Sequence, residues 1–271
     1  MAVISETLAD TRHAFDGVAS RYDRSNAGNA AVCAMRQRTL SAITSRLSPG
    51  ARLLDLGCGP GSDAETLARL GYRLTAIDWS PAMVREAQCR VRGAGLQSCV
   101  DIRLLGIHEL DRLDDGPFDG VYSNLGPLNC VPDLTSVARQ IAARLRSGGF
   151  FVASVIGRIC PWEIALFLLR GDCRRIAVRF ARTFVPVPLE GRTVWTRYHA
   201  PLEFEAEFRR AGFRRVALRA LGLWVPPPYM QAFSSRHPAL MTWLQSVDDR
   251  TGGWPGLRNW GDHFLVVMRR I

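Results

Sequence analysis

Between Arg52 and Ser154 the chain alternates short apolar runs with amphipathic stretches, in the order ARLLDLG, AETLARLG, YRLTAID, AMVREAQCRVRGAG, VDIRLLG, FDGVYSNL, LTSVARQIAARLRSGG and FFVASVIG. Runs of strand length separated by stretches of helix length need crossover connections. They predict parallel strands with helices covering both faces of the sheet. After Gly157 this rhythm breaks. It returns at Pro201, where LEFEAEFRRAG reads as a helix closed by Gly212, followed by FRRVALRALGLWV as a strand and HFLVVMRR as its antiparallel partner.

The expected fold class is therefore α/β: a Rossmann-like doubly wound seven-stranded sheet with an antiparallel C-terminal hairpin and a mainly helical lid insertion. Three parts are expected. Residues 1–157 hold N-terminal helices and the nucleotide-binding core, 158–200 a lid for the second substrate, and 201–271 the rest of the core with a further insertion at 226–260.

Composition narrows the chemistry. All 35 basic residues are arginine, with a net charge of +10. Total replacement of lysine points to genomic composition acting everywhere, so the charge is weak evidence for a polyanion partner and nucleic acid is not expected. Without lysine there is no Schiff-base chemistry. The seven cysteines, Cys33, Cys58, Cys89, Cys99, Cys130, Cys160 and Cys173, form no C-x-x-C pair, which suits reduced thiols and gives no metal site. The first residues, MAVISETLADTRHAF, lack a basic segment followed by an apolar one, and no uncharged apolar run reaches the roughly 18 residues of a membrane span. A soluble cytoplasmic protein is expected.

The first β-α unit carries the strongest local signal. Asp55 ends a strand, and Gly57, Gly59 and Gly61 follow at alternate positions. Glycines there let backbone N–H groups and a helix N-terminus approach a ligand closely. Asp78 ends the next strand, where a carboxylate can accept from two ribose hydroxyls. The dinucleotide fingerprint G-x-G-x-x-G is not met, because Ser62 stands where its third glycine belongs, and no G-x-x-x-x-G-K-[ST] loop is present.

These segments resemble those of the class I S-adenosylmethionine (SAM)-dependent methyltransferases: LLDLGCGPG their first motif, AIDWSPAMVREA their second, FDGVYSNLGPLNCV their fourth, and LRSGGFFVASV the run into the fifth strand. HAFDGVASRYD, residues 13–23, is similar to the F-D-x-x-A-x-x-Y-D signature of the small-molecule branch that includes quinone and sterol methyltransferases. The resemblance implies SAM as donor and S-adenosylhomocysteine as product. It implies that Gly57, Cys58 and Gly59 line the methionine half, with Asp55 also binding the cofactor, that Tyr22 lies over that half or else packs the first helix, that Asp78 holds the ribose, and that Trp79 and Met83 flank the adenine. Trp79 also reads as core packing. Ile107 and His108 fall in the adenine corner, with Ile107 at the place of the family's acidic acceptor, which leaves Glu109 or a backbone carbonyl to substitute. Asn124 and Leu125, at the end of the fourth strand, are expected near the methionine amino group or simply end the strand.

Methyl transfer from a sulfonium is an in-line displacement by a reactive donor. The protein must align the acceptor and, for some acceptors, remove a proton. Tyr22 and His199 are the foremost candidates for that base, ahead of His13 and His263. The runs PWEIALFLL, VRFARTFVPV and GLWVPPPYM favour an apolar small-molecule acceptor under the lid, at oxygen, nitrogen or carbon, in secondary metabolism or lipid and quinone synthesis. Leu168 to Arg182 reads either as an amphipathic lid helix or as a peripheral membrane contact. The charge leaves RNA methylation as the alternative, against which SNLGPLNC stands where N/D-P-P-Y/F occurs in enzymes acting on a base nitrogen. SAM binding without transfer is a third reading.

Overall fold

A computed structural model describes residues 2–271, with side chains from Glu6 onward. The chain opens with two helices, α1 (Ala2–Ala27) and α2 (Ala30–Thr44). The core then runs β1 (Arg52–Leu56), α3 (Ser62–Arg69), β2 (Arg73–Asp78), α4 (Pro81–Gly93), β3 (Val100–Leu104), β4 (Phe118–Ser123), α5 (Leu134–Arg144) and β5 (Leu145–Ile156). An insertion follows, made of α6 (Pro161–Leu169), α7 (Cys173–Phe180), β6 (Val185–Leu189) and β7 (Arg192–Thr196). The chain finishes with α8 (Pro201–Arg210), β8 (Phe213–Leu221), α9 (Gln231–Arg236), α10 (Pro238–Thr251) and β9 (His263–Arg270).

Seven strands form one sheet in the order β3-β2-β1-β4-β5-β9-β8, and β6 and β7 form a separate two-stranded hairpin. β1 to β5 pair in parallel, whereas β9 runs antiparallel to both β5 and β8. This is the doubly wound architecture the alternating pattern predicts. The strand order reverses between β1 and β4, so their C-terminal ends open a crevice. One face of the sheet packs on α5 and α8 through stacked Phe151, Phe204 and Phe208. The other face is closed by α2, α3 and α4 around Leu53, Leu67, Leu74 and Tyr122.

The insertion is two short helices followed by a hairpin. Gly171, at φ +68, breaks the helical run into α6 and α7. Arg179 of α7 is buried and bonds Glu163, Asp262 and the Gly157 carbonyl. Two carboxylates and a carbonyl compensate a guanidinium that burial alone would disfavour, and they hold the helices to the edge of the core. The hairpin lies instead along α1, where Trp195 N donates to Thr11 Oγ1 at 3.0 Å, Trp195 Nε1 to Asp10 at 3.0 Å, and Arg21 pairs with Glu190.

α1 is also fastened to the core. Asp16 accepts from the Ser80 hydroxyl at 2.5 Å and from Ala82 N at 3.1 Å, while Asp23 accepts from the Ser62 hydroxyl at 2.5 Å and pairs with Arg90. Each carboxylate thus sits at a helix N-terminus, Asp16 on α4 and Asp23 on α3, where the helix dipole favours negative charge. Seven residues separate the two, so both lie on one face of α1, and that face roofs the crevice.

Candidate active site

The crevice is a cleft of about 1180 Å³ including its open mouth, room for a nucleoside-sized donor and a small acceptor together. Tyr22, Asp55, Gly57, Cys58, Gly59, Asp78, Trp79, Met83, Ile107, His108, Asn124 and Leu125 all line it. The sheet brings these together from the ends of β1, β2, β3 and β4 and the segments that follow them, and α1 adds Tyr22 from above.

The glycine loop is shaped by close approach. Gly57 has φ +79, and a Cβ there would lie 2.5 Å from the Cβ of Pro127. Gly59 has φ +53, yet a Cβ there would meet nothing within 4 Å and would project into open space. Both Gly57 N and Cys58 N donate to the Ile77 carbonyl at 2.9 Å, which pins the loop to the end of β2. Asp78 accepts from Gly59 N and from Ser80 N, each at 2.8 Å.

Asp55 and Tyr122 are register partners on β1 and β4, and the Tyr122 hydroxyl donates to Asp55 at 2.7 Å. Burial, and then the charge of Asp63, push the Asp55 carboxyl well above the usual range. Asp63, in the first turn of α3, accepts from Asn124 Nδ2 at 2.9 Å and faces Arg36 of α2 at 3.0 Å. Burial also raises Asp63 and Asp78. Three carboxylates and one guanidinium therefore face the same cavity. The buried Asn124 Oδ1 has no hydrogen-bond partner, and an orphaned acceptor of this kind calls for a donor from a ligand. The Gly59 cradle and the Asn124 oxygen fit a bound nucleoside that carries a free amino-acid group.

At the other end the Trp79 ring meets His108 edge-on, with centroids 4.8 Å apart, and the Arg12 guanidinium lies 5.7 Å from the Trp79 centroid. Burial lowers the His108 pKa, so the ring is neutral. Ile107 is buried in this corner. Glu109, offered as a substitute acceptor, does not line the cavity; its two oxygens accept from Gly106 N and from Arg112.

His199 lies outside the cavity. It is 4% exposed, packs edge-on against Phe204, and burial and the charges of Arg197 and Arg158 lower its pKa to about 4. His13 and His263 do not line the cavity either, and His263 is bonded to Asp262 at 2.9 Å. Burial raises the Tyr22 phenol, which favours its protonated, hydrogen-bond-donating form. The apolar runs PWEIALFLL, VRFARTFVPV and GLWVPPPYM contribute no lining residue; Val194 and Thr196 of the hairpin close that side. Trp162 shows why: its Nε1 donates to the Trp224 carbonyl at 2.7 Å, so α6 packs on the C-terminal excursion.

Sequence reasoning missed Arg36, Asp63, Thr11 and Phe15. The last two share α1 with Tyr22 at a spacing of seven and eleven residues, a helical-face signal that was available. Arg36 and Asp63 gave none, because nothing local tells an arginine on α2 that it will face α3.

A sheet of this order with a glycine loop after β1 and a carboxylate after β2 defines the nucleotide-binding methyltransferase fold. A methyltransferase-domain family model matches residues 53–149. The chain is 31% identical over 201 residues to a ubiquinone biosynthesis O-methyltransferase from Xanthomonas axonopodis pv. citri (strain 306), covering 74% of this chain and 78% of that protein. Among solved structures, an S-adenosylmethionine-dependent methyltransferase from Listeria monocytogenes superposes with a TM-score of 0.63 at 15% identity, covering 89% of this chain and 98% of that one. The Burkholderia thailandensis 1,6-didemethyltoxoflavin-N1-methyltransferase, with S-adenosylhomocysteine bound, superposes with a TM-score of 0.60 at 18% identity, covering 98% and 89%. The chain belongs to the class I SAM-dependent methyltransferases. It is an enzyme that uses SAM to methylate a small molecule.

Proposed function

We propose that the acceptor is an apolar or aromatic small molecule, methylated in quinone, lipid or secondary-metabolite synthesis. The observation that carries this reading is the apolar share of the cavity's lining. Leu8, Phe15, Val131, Ile156 and Val194 belong to it. Two polar side chains of the lining are engaged within the protein. Thr11 Oγ1 donates to the Thr7 carbonyl at 2.9 Å, and Cys130, held neutral with a pKa pushed up to about 12 by burial, bonds Thr196. The matching relatives are named for O-methylation in ubiquinone biosynthesis, which supports an oxygen nucleophile on a quinone-type acceptor. An RNA acceptor is not favoured.

When bound, the donor supplies an electrophilic methyl group on a sulfonium. We assign its ribose to Asp78, its adenine to the corner of Trp79, Met83, Ile107 and His108, and its methionine end to Gly57, Cys58, Gly59, Asn124 and Leu125. Asp55 and Asp63 place carboxyl groups towards the donor's cationic end, whose charge favours their ionised form, and Arg36 is the guanidinium available to the methionine carboxylate. Tyr22 closes the methionine end from α1. These residues act by holding the acceptor in line and excluding water. Nucleophilicity then comes from the acceptor, as an ionised phenol or an electron-rich carbon or nitrogen. A cytoplasmic setting suits the seven free cysteines.

The test is transfer of label from methyl-labelled SAM into an extract of the source organism, with and without RNase. Label in solvent-extractable, RNase-resistant material is the expected result; label lost on RNase treatment refutes the reading. Calorimetry of Arg36→Ala should show SAM binding weakened by about tenfold or more, as the loss of a charge-assisted bond implies. Unchanged affinity removes Arg36 from the site.

A further inference from the structure

We propose that Asn129 is a positioning residue for methyl transfer: from outside the cavity it joins three chain segments that form the cavity's apolar wall, and so sets where the acceptor lies against the donor. The inference rests on the small-molecule acceptor reading for its consequence, whereas the junction itself is measurable with neither donor nor acceptor.

The three segments come from distant parts of the chain. The loop after β4 supplies Pro127, Cys130 and Val131 to the lining, the end of β5 supplies Ile156, and β7 supplies Val194 and Thr196. The loop has left the sheet and β7 belongs to a separate hairpin, so no strand ladder holds the three in register. Asn129 does so. Ile156 N donates to its Oδ1 at 2.9 Å, and its Nδ2 donates to the Ile156 carbonyl at 3.0 Å and to the Arg197 carbonyl at 2.8 Å. Its backbone carbonyl accepts from Arg197 N at 2.8 Å, and its own N donates to the Gly126 carbonyl at 2.9 Å. Between the end of β5 and the chain after β7, the bond from His199 N to the Ile156 carbonyl is longer, at 3.4 Å.

An amide side chain suits this place because it carries one acceptor and two donors, like a short piece of backbone. Asn129 is fully buried, so truncating it leaves Ile156 N without a partner and takes a donor from two carbonyls where water cannot replace it. Its side chain does not line the cavity, although those of Cys130 and Val131 beside it do, and Leu128 packs in the core. The glycine loop is held separately, by the Ile77 carbonyl and Asp78. A wall displaced by about an ångström costs an in-line transfer roughly a hundredfold. Loss of Asn129 therefore falls on transfer and spares donor affinity.

The test compares the natural chain with Asn129→Ala and with Val137→Ala, a core truncation on α5 away from the cavity. Label transfer from methyl-labelled SAM into a solvent extract of the source organism, dosed over a range, gives kcat and the half-saturating amount of extract. For Asn129→Ala their ratio should fall by about a hundredfold, with SAM affinity by calorimetry within about threefold. Val137→Ala should lower Tm and keep transfer within about threefold. Amide exchange without ligands should find Ile156 N protected in the natural chain and about tenfold faster in Asn129→Ala, with the amides of β1 and β2 unchanged. Where Asn129→Ala does not fold, Asn129→Asp takes its place, since it keeps an acceptor for Ile156 N and, ionised, offers the two carbonyls no donor. The proposal is overturned by SAM affinity that falls in step with transfer, by an equal loss of transfer in Val137→Ala, or by Ile156 exchange that the substitution leaves unchanged. Unprotected Ile156 N in the natural chain overturns it with no variant at all. A natural chain that labels nothing extractable refutes the acceptor reading, while Ile156 exchange still decides the junction.

Discussion

Asp78 accepts the backbone N–H of Gly59 at 2.8 Å, so the carboxylate that ends β2 fixes the loop that leaves β1. The same carboxylate accepts from Ser80 N, whose side chain caps α4 and bonds Asp16 of the roofing helix. Loop, second strand and roofing helix are therefore tied to one acid.

The two glycines of the loop should fail differently. Gly59→Ala adds a methyl group to open cavity at a positive φ, costing about 1 kcal/mol of stability while obstructing the donor. Gly57→Ala drives a Cβ to 2.5 Å from Pro127 and should destabilise by more than that. Thermal melts with SAM titrations check this: Gly59→Ala is expected to keep most of its Tm and lose SAM affinity, and the reverse pattern contradicts the cradle.

Asp55→Asn should stabilise the protein measured without donor. The folded carboxyl is raised by burial, so its protonated form favours folding at low pH and that contribution is lost as pH rises through the folded pKa. Asparagine removes the cost of an ionised buried group and keeps an acceptor for the Tyr122 hydroxyl. Scanning calorimetry from acid to mildly alkaline pH should find a higher Tm near neutrality, with the gain shrinking towards the ordinary aspartate pKa of about 3.9. SAM affinity should fall in the same variant, because a negative group facing the sulfonium is gone.

His199→Leu separates a structural histidine from a catalytic one. Its folded pKa of about 4 lies below the unfolded value of about 6.5, so protonation opposes folding progressively as pH falls between those values. The variant should lose part of the acid sensitivity, up to about 3 kcal/mol by pH 4, while kcat at alkaline pH stays within about threefold of the natural chain. A collapse of kcat without a change in acid denaturation would return His199 to the chemistry.

Arg179→Met leaves Asp262 and Glu163 as buried charges without their partner. A loss of about 3–5 kcal/mol in urea unfolding is expected. Restoring neutrality with Asp262→Asn in the same chain should recover part of it. An effect under about 1 kcal/mol would mean that the network is solvated.

Much of the site was legible in the sequence, because its parts lie in contiguous segments. Asp55 and the glycines follow one strand, Asp78 and Trp79 the next, and Asn124 and Leu125 end a third; alternation of apolar runs placed those ends together. The lid resisted for a physical reason. Apolar residues of α6 and α7 are equally suited to line a cavity, to pack on one another or to face a membrane, and hydrophobicity alone does not choose. Only the packing of Trp162 on Trp224 and the burial of Arg179 turn those helices away from the cavity and leave the hairpin of Val194 and Thr196 there.

The sequence by itself determined the sheet, the donor and the loop that holds it, since strand alternation and glycine spacing are local consequences of backbone sterics. The tertiary structure decided which further side chains line the cavity and which stay out of it. Asp63 and Arg36 meet across α3 and α2, Thr11 and Phe15 arrive from α1, and His199 is withdrawn into the core. Each of these depends on contacts between segments far apart in the chain, where proximity is set by how helices pack on the sheet and by no pattern within either segment.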